Sequence, residues 1–351
     1  MAYLSSSLGA RYWRARLGRW PALARRRASE GYTVLVPVPG DLPVFLRTAL
    51  AVVKHQQARH RVETLVIPDA VTSAVRRIVK EAGDNWPGPL RLQAFPVPER
   101  WALPRLNNPG RNHALQLITG TAHSRASHIV LHDADLFLME PDILDRQYLA
   151  CEQRGLACLG VSPVWDPWFA EHHKQLAATW ELCARVDWLT SFVPALHMAH
   201  ENELFGERHL FDTTLYPQAI TDPGLIGVEP TADIVHFNYV ISHYRHFLRN
   251  TADGFPDNRF LLLFVRTLVD VFDEPSGRGY RLPSLAELGS YLDRTDAAVA
   301  FPSAPEGGEK YRHFRERLER ILSGPWAEAG QCRSALDQLK PFDDYYLADV
   351  Y

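Results

Sequence analysis

The feature that most constrains this chain is an alternation along its first 140 residues. Runs of strand length, the β-branched Thr33–Val38 and Val62–Ile67, the short Leu90–Phe95 and the apolar-centred His128–His132, alternate with stretches of helical spacing at Val44–His55, Val71–Glu81 and 111–126. Apolar runs of strand length read as strands buried on both faces. Strands separated by helices predict an α/β fold with a mostly parallel sheet, because parallel neighbours need a crossover connection. At 351 residues the chain can bury a core without staples. Its cysteines, Cys151, Cys158, Cys183 and Cys332, form no C-x-x-C pair. That fits buried thiols in a reducing compartment rather than a disulfide or zinc framework.

In such sheets ligands bind beyond the carboxyl ends of the strands. The run His128–His132 ends directly in Asp133-Ala134-Asp135, and Leu136-Phe137-Leu138 then resumes an apolar strand. Two carboxylates among apolar neighbours suffer desolvation unless something compensates them. A hard divalent cation is the natural compensator. Mg²⁺ or Mn²⁺ held there would bridge diphosphate oxygens and act as a Lewis acid on a leaving nucleoside diphosphate. The competing reading is an ordinary polar loop. His236 follows the short apolar run Ile234-Val235, where taken alone it reads as a core histidine. His243 and His246, three apart, would share a helical face, and Arg245 between them is a candidate phosphate contact. His128 and His132 would lie roughly 13 Å apart on one side of a strand, too far to share a zinc ion, and no H-E-x-x-H occurs.

Bulk properties narrow the partners. A net charge of −3 carries no nucleic-acid signal. No run of 18 apolar residues exists, and Phe260–Phe272 is short and broken by Arg266 and Asp270, so no spanning helix is expected. Arg11, Arg14, Arg16, Arg19, Arg25, Arg26 and Arg27 precede the first acid, Glu30. They read either as a frayed helix or as a basic face resting on anionic lipid or a partner. The expected location is cytoplasmic, with a peripheral contact at the inner membrane face as the variant. Arginine outnumbers lysine 33 to 5, which we attribute to a GC-rich bacterial genome. Trp165, Trp168, Trp180 and Trp188 would serve either a core or a ligand pocket. Trp165 and Trp168, in a loop-like stretch, suit a ligand better than Trp180, expected on a helix.

The stretch GRNHALQLITGTAHSRASHIVLHDADLFLMEP, residues 110–141, resembles the metal-binding region of GT-A-fold, family-2-like glycosyltransferases, with Arg111, Asn112 and Leu115 in matching places. Thr33–Gln56 is similar to the opening strand, loop and helix of that family. The loop reads Pro37-Val38-Pro39-Gly40, with Gly40 where Asn is usual. Residues 62–73 resemble the second strand and its acidic loop, here Pro68-Asp69. Residues 204–215 resemble the acceptor-side segment, in which only the central acid, Asp212, remains; Glu203, Glu207 and Asp222 are local substitutes.

The resemblance implies a GT-A-like (Rossmann-like) domain over residues 32–254, nucleotide half about 32–141 and acceptor half about 142–254. A basic segment (1–31) would precede it and a mostly helical extension (255–351) follow, closing over the acceptor or forming a contact in a homo-oligomer. It implies an enzyme that moves a sugar from a nucleotide-diphosphate sugar to an acceptor hydroxyl, with inversion and a divalent cation, Mn²⁺ or Mg²⁺. Asp133, Asp135 and His236 would hold the metal, Asp69 the base, and Pro37, Arg111, Asp133 and Arg245 the rest of the donor. Asp212 would act as the general base. The acceptor would be a glycan, a lipid-linked saccharide or a small molecule. The rivals are a sugar-1-phosphate nucleotidyltransferase, whose Gly-rich basic loop is missing at 37–43, and a non-catalytic glycan- or partner-binding relative. A haloacid-dehalogenase-type phosphatase does not fit, since Leu136-Phe137 follows the acids and about 100 residues of α/β pattern precede them.

Overall fold

The computed structural model describes residues 9, 11–20, 28–106, 109–249, 259–273, 279–294 and 299–348. Its strands are β1 (Ser29–Val38), β2 (Arg61–Pro68), β3 (Leu90–Leu92), β4 (Ala126–His132), β5 (Leu136–Leu138), β6 (Cys158–Gly160), β7 (Glu181–Arg185), β8 (His200–Leu204), β9 (Glu207–Phe211), β10 (Ile226–Val228) and β11 (Ile234–His236). The chain divides into two units. One holds Met1–Leu46, Gln56–Ala134 and Glu140–Ala232; the other holds Arg47–His55, Asp135–Met139 and Asp233–Tyr351.

The first unit is built on a seven-stranded sheet in the order β10-β6-β7-β4-β1-β2-β3. Strands β4, β1, β2 and β3 are parallel neighbours. Strand β7 runs antiparallel to both β4 and β6, and β10 pairs parallel with β6. The mostly parallel α/β sheet expected from the alternation is therefore present, with one inverted strand. Strand β3 stops at Leu92 and not at Phe95. Gln93 adds one more ladder bond, to the Val66 carbonyl at 2.8 Å. Phe95 then turns into the core, and Pro96 has no N–H to give.

The centre of this sheet is dry: Val34, Leu35, Val36, Ile129, Val130 and Leu131 are fully buried. The helix Pro109–His123 lies on β1 and β2. Gly120 permits the approach, since a Cβ there would meet Ile67 Cδ1 at 2.5 Å and Leu35 Cδ1 at 2.7 Å. One turn earlier, Gln116 Nε2 donates to the carbonyls of Val38 (3.0 Å) and Ile67 (2.6 Å). A single amide thus ties together the ends of two strands where their ladder runs out, and satisfies carbonyls that would be costly to bury unpaired. The helix Ser73–Gly83 begins at Thr72, whose hydroxyl accepts from Val75 N (3.2 Å) and donates to the Gly40 carbonyl (3.0 Å).

In the second unit, β5 and β11 form an antiparallel pair that sets His236 opposite Leu136. The helix Phe260–Phe272 is buried nearly all round. Its Phe264 stacks on Phe237 with centroids 4.0 Å apart and meets Phe137 edge-on at 6.1 Å. Buried Arg266 is tolerated because Asp270, one turn on, takes its Nε at 3.0 Å. The charged helix expected at Glu309–Leu322 starts earlier, at Ala304, because Ser303 and Glu306 form a capping box. Among the described residues beyond 255 the structure is mostly helical, as expected. No helix among the described residues is long and apolar enough to cross a membrane. Arg25, Arg26 and Arg27 of the basic segment, and the expected boundary at 254–255, lie outside the described residues.

Candidate active site

The loops after β1 and β2 are stitched together. Asp69 Oδ1 accepts the Gly40 N–H at 2.7 Å, and the Asp69 N–H donates to the Val38 carbonyl at 3.0 Å. A Cβ on Gly40 would stand 1.8 Å from the Ala70 carbonyl oxygen. Glycine at this position therefore has a local cause: the chain leaving β2 passes directly over it. Asp69, the candidate base contact, is half-buried at the carboxyl end of β2. Pro37 is buried inside β1 opposite Ile67. Arg111 is half-buried near the start of its helix, and burial lowers its pKa from the ordinary value.

Strand β4 ends in His132, whose Nδ1 lies 2.7 Å from Glu181 Oε2 on the neighbouring strand, with both side chains fully buried. Asp133 follows. Its N–H donates to the Trp180 carbonyl at 3.0 Å. Its Oδ1 meets His113 Nε2 at 2.9 Å, and His113 Nδ1 lies 3.3 Å from Thr213 Oγ1. Thr213 N–H in turn donates to Asp212 Oδ1 at 2.7 Å. Asp212 is exposed at the end of β9, where its carbonyl accepts from Leu215 N at 3.1 Å. The flanking Phe211, Thr213 and Thr214 are fully buried. The acids that the resemblance leads one to expect beside Asp212 are therefore replaced by groups that pack inward. Thr214 has a left-handed φ of 60° and donates its N–H to the His197 carbonyl at 3.1 Å.

In the second unit, Asp135 Oδ1 lies 3.3 Å from His236 Nε2. The register of β5 and β11 produces this contact, continued by a bond from Phe237 N to the Asp135 carbonyl at 3.3 Å. The Arg317 guanidinium donates to the His236 carbonyl and lies 4.2 Å over the Phe237 ring. Only Ala134 separates Asp133 from Asp135, so chain geometry alone keeps their Cα atoms within about 7 Å. Within the second unit, Asp135 and His236 thus bring one carboxylate and one imidazole together, donors that suit a cation accepting oxygen and nitrogen.

Arg245 is half-buried on the helix Val240–Leu248, whose His243 is buried. Burial, with the charges of Arg259 and His246, pushes the His243 pKa down to about 4. His128 and His132 face separate carboxylates, Glu152 at 3.3 Å and Glu181. Trp165 is 78% exposed. Trp168 is stacked on His209 at 4.1 Å, and its Nε1 donates to Glu207 at 2.9 Å. Trp188 is buried. Trp180 stands in a turn and not on a helix, and what it supplies to Asp133 is a backbone carbonyl, which no side-chain pattern reveals. His113 and Thr213 were not singled out by sequence. The signal for His113 was its spacing to Gln116 and Gly120, which places all three on the sheet-facing side of one helix.

No protein-family model matches the chain, and no curated protein matches it. Among solved structures it is similar to glucosyl-3-phosphoglycerate synthase from Mycobacterium tuberculosis in complex with Mn²⁺, UDP and glucosyl-3-phosphoglycerate, at 15% identity and a TM-score of 0.39 over 67% of this chain and 80% of that one. It is also similar to S. aureus TarS 1–349, at 12% identity and a TM-score of 0.38 over 90% and 89% of the two chains. Of the longer TarS chain it spans 54%. A third likeness is to core-mannan synthase A from Aspergillus fumigatus in its Mn/GDP form, at 9% identity and a TM-score of 0.32 over 52% and 68%.

Proposed function

We propose that this chain is a GT-A-like glycosyltransferase that moves a sugar from a nucleoside-diphosphate donor to an acceptor hydroxyl, with inversion and with a divalent cation at Asp133, Asp135 and His236. The observation that carries the proposal is the Asp135–His236 contact at 3.3 Å, set by the pairing of β5 with β11, two residues beyond Asp133. When bound, Mn²⁺ or Mg²⁺ would offset the charge of the diphosphate leaving group.

The chain's own residues do the rest. Asp69 accepts from the base at the carboxyl end of β2, the end of an open sheet where ligands bind. Arg111 and Arg245 pair with phosphate oxygens, for which a planar guanidinium is well shaped. Asp212 takes the proton from the acceptor hydroxyl as its oxygen bonds to the anomeric carbon and the bond to the diphosphate oxygen breaks. With Oδ1 engaged by the Thr213 N–H, Oδ2 of this exposed carboxylate is the base. Trp165 offers its face to the acceptor, because an aromatic ring covers the apolar side of a sugar.

The test is thermal stabilisation by a panel of nucleoside diphosphates, with and without Mn²⁺ or Mg²⁺. A ligand of the native state raises the melting temperature by mass action. A metal-dependent rise with one nucleotide supports the transferase and names its donor class. No rise with any nucleotide overturns it in favour of a non-catalytic binding protein.

A further inference from the structure

We propose that His113 is a positioning residue that holds Asp133 as a single-oxygen ligand and is itself aimed by Thr213. The inference rests on the reading of Asp133 as a metal-site carboxylate, and it concerns residues of the first unit alone.

The geometry leaves little choice of hydrogen placement. Asp133 Oδ1 stands 2.9 Å from His113 Nε2. An ionised carboxylate is an acceptor only, so Nε2 carries the proton and donates. In the neutral ring Nδ1 is then the acceptor, and Thr213 Oγ1 stands 3.3 Å from it. That hydroxyl has one proton. Given to His113, it cannot also serve the Gly110 carbonyl at 3.4 Å or Asp212 Oδ1 at 3.5 Å, both longer contacts. Thr213 is fully buried, and its own N–H is engaged by Asp212, so it cannot turn away cheaply. The result is a directed chain from Thr213 through His113 to Asp133.

The chain has two consequences. It occupies Oδ1 of Asp133 and leaves Oδ2 to face a cation, which makes Asp133 a one-oxygen ligand. It also links Asp133 to the backbone that carries Asp212, so one set of hydrogen bonds sets the orientation of both carboxylates. Partners of this kind, which orient a ligating carboxylate without touching the ion, change metal affinity by about 10–100-fold when removed.

The experiment is titration of the full chain with Mn²⁺ alone, read by the electron paramagnetic resonance signal of the free ion. Wild type, Asp135→Ala, His113→Ala, His113→Gln and Thr213→Val are compared, and each fold is checked by melting temperature. The expected result is binding by wild type and its loss in Asp135→Ala. His113→Ala should weaken binding about 10–100-fold. In His113→Gln, whose amide replaces the Nε2 donor, most of the affinity should return, and Thr213→Val should fall between. Wild-type affinity in His113→Ala overturns the positioning role and leaves the metal site standing. Equal losses in the Ala and Gln variants also overturn it, because the donor to Asp133 would then be irrelevant. No Mn²⁺ binding by wild type overturns the metal site itself.

Discussion

His132 and Glu181 face each other across β4 and β7, Nδ1 to Oε2 at 2.7 Å, with neither side chain exposed to solvent. They are register partners on antiparallel strands, and Asp133 follows His132 directly. The pair therefore braces the point where β4 gives way to the acidic turn. Deleting Glu181 takes this partner from the buried His132 Nδ1, at a cost of about 1–3 kcal/mol for an unsatisfied buried polar group. Glu181→Ala is expected to lose that much in urea unfolding. A loss below about 1 kcal/mol, typical of surface pairs, would show that the pair does not brace the strand end.

Asp212 is exposed and its backbone is held by a turn, so its carboxylate can be changed without disturbing the core. Asp212→Asn keeps an oxygen for the Thr213 N–H and removes the base. If Asp212 deprotonates the acceptor, kcat should fall about 10²–10⁴-fold, while the metal-dependent thermal shift with the donor nucleotide stays. Steady-state kinetics beside thermal melts would check this, and an unchanged kcat would move the base to Glu203, Glu207 or Asp222.

Gly40 has no room for a methyl group, with the Ala70 carbonyl 1.8 Å from where a Cβ would sit. Gly40→Ala must push the two loops apart and break the bond from Gly40 N to Asp69. Overpacking of this kind costs about 1–3 kcal/mol. Nucleotide affinity should fall with it, since Asp69 loses its anchor. Calorimetric titration with the donor nucleotide, beside urea unfolding, separates the two effects. A stable variant with native affinity would show that the loops do not act as one unit.

His197 supplies a pH dependence of definite sign. Its Nε2 donates to the Leu189 carbonyl at 2.8 Å, and burial pushes its pKa down to about 4. The unfolded chain takes up this proton as pH falls through about 6.5. The folded chain resists until about 4. The contribution to stability is therefore complete above pH 6.5 and is lost as pH falls towards 4. Linkage puts the loss at roughly 2 kcal/mol between pH 7 and pH 5. His197→Gln, which retains a donor for Leu189, should lose less stability than wild type over that interval in urea unfolding. Equal losses would place the acid sensitivity elsewhere.

Much of the fold could be read from residue order. Periodicity placed β1, β2, β4 and β5, because buried strands need continuous apolar runs and leave them visible in the chain. The Asp133–Asp135 turn was legible for the same reason: charges directly after such a run are conspicuous. Local chemistry also announced the helices around 44–55 and 260–272, and one at Val71–Glu81 that in the structure runs from Ser73 to Gly83.

Tertiary structure decided what depends on neighbours remote in sequence. The inversion of β7 is invisible locally, since a strand buried between two others has the same composition in either direction. The partnership of Asp135 with His236, a hundred residues apart, exists only through the β5–β11 register. The chain from Thr213 through His113 to Asp133 joins three segments by single hydrogen bonds, each too short-ranged to leave a periodic trace. Periodicity records which side of an element is buried. Which polar group meets which is settled only when the elements pack.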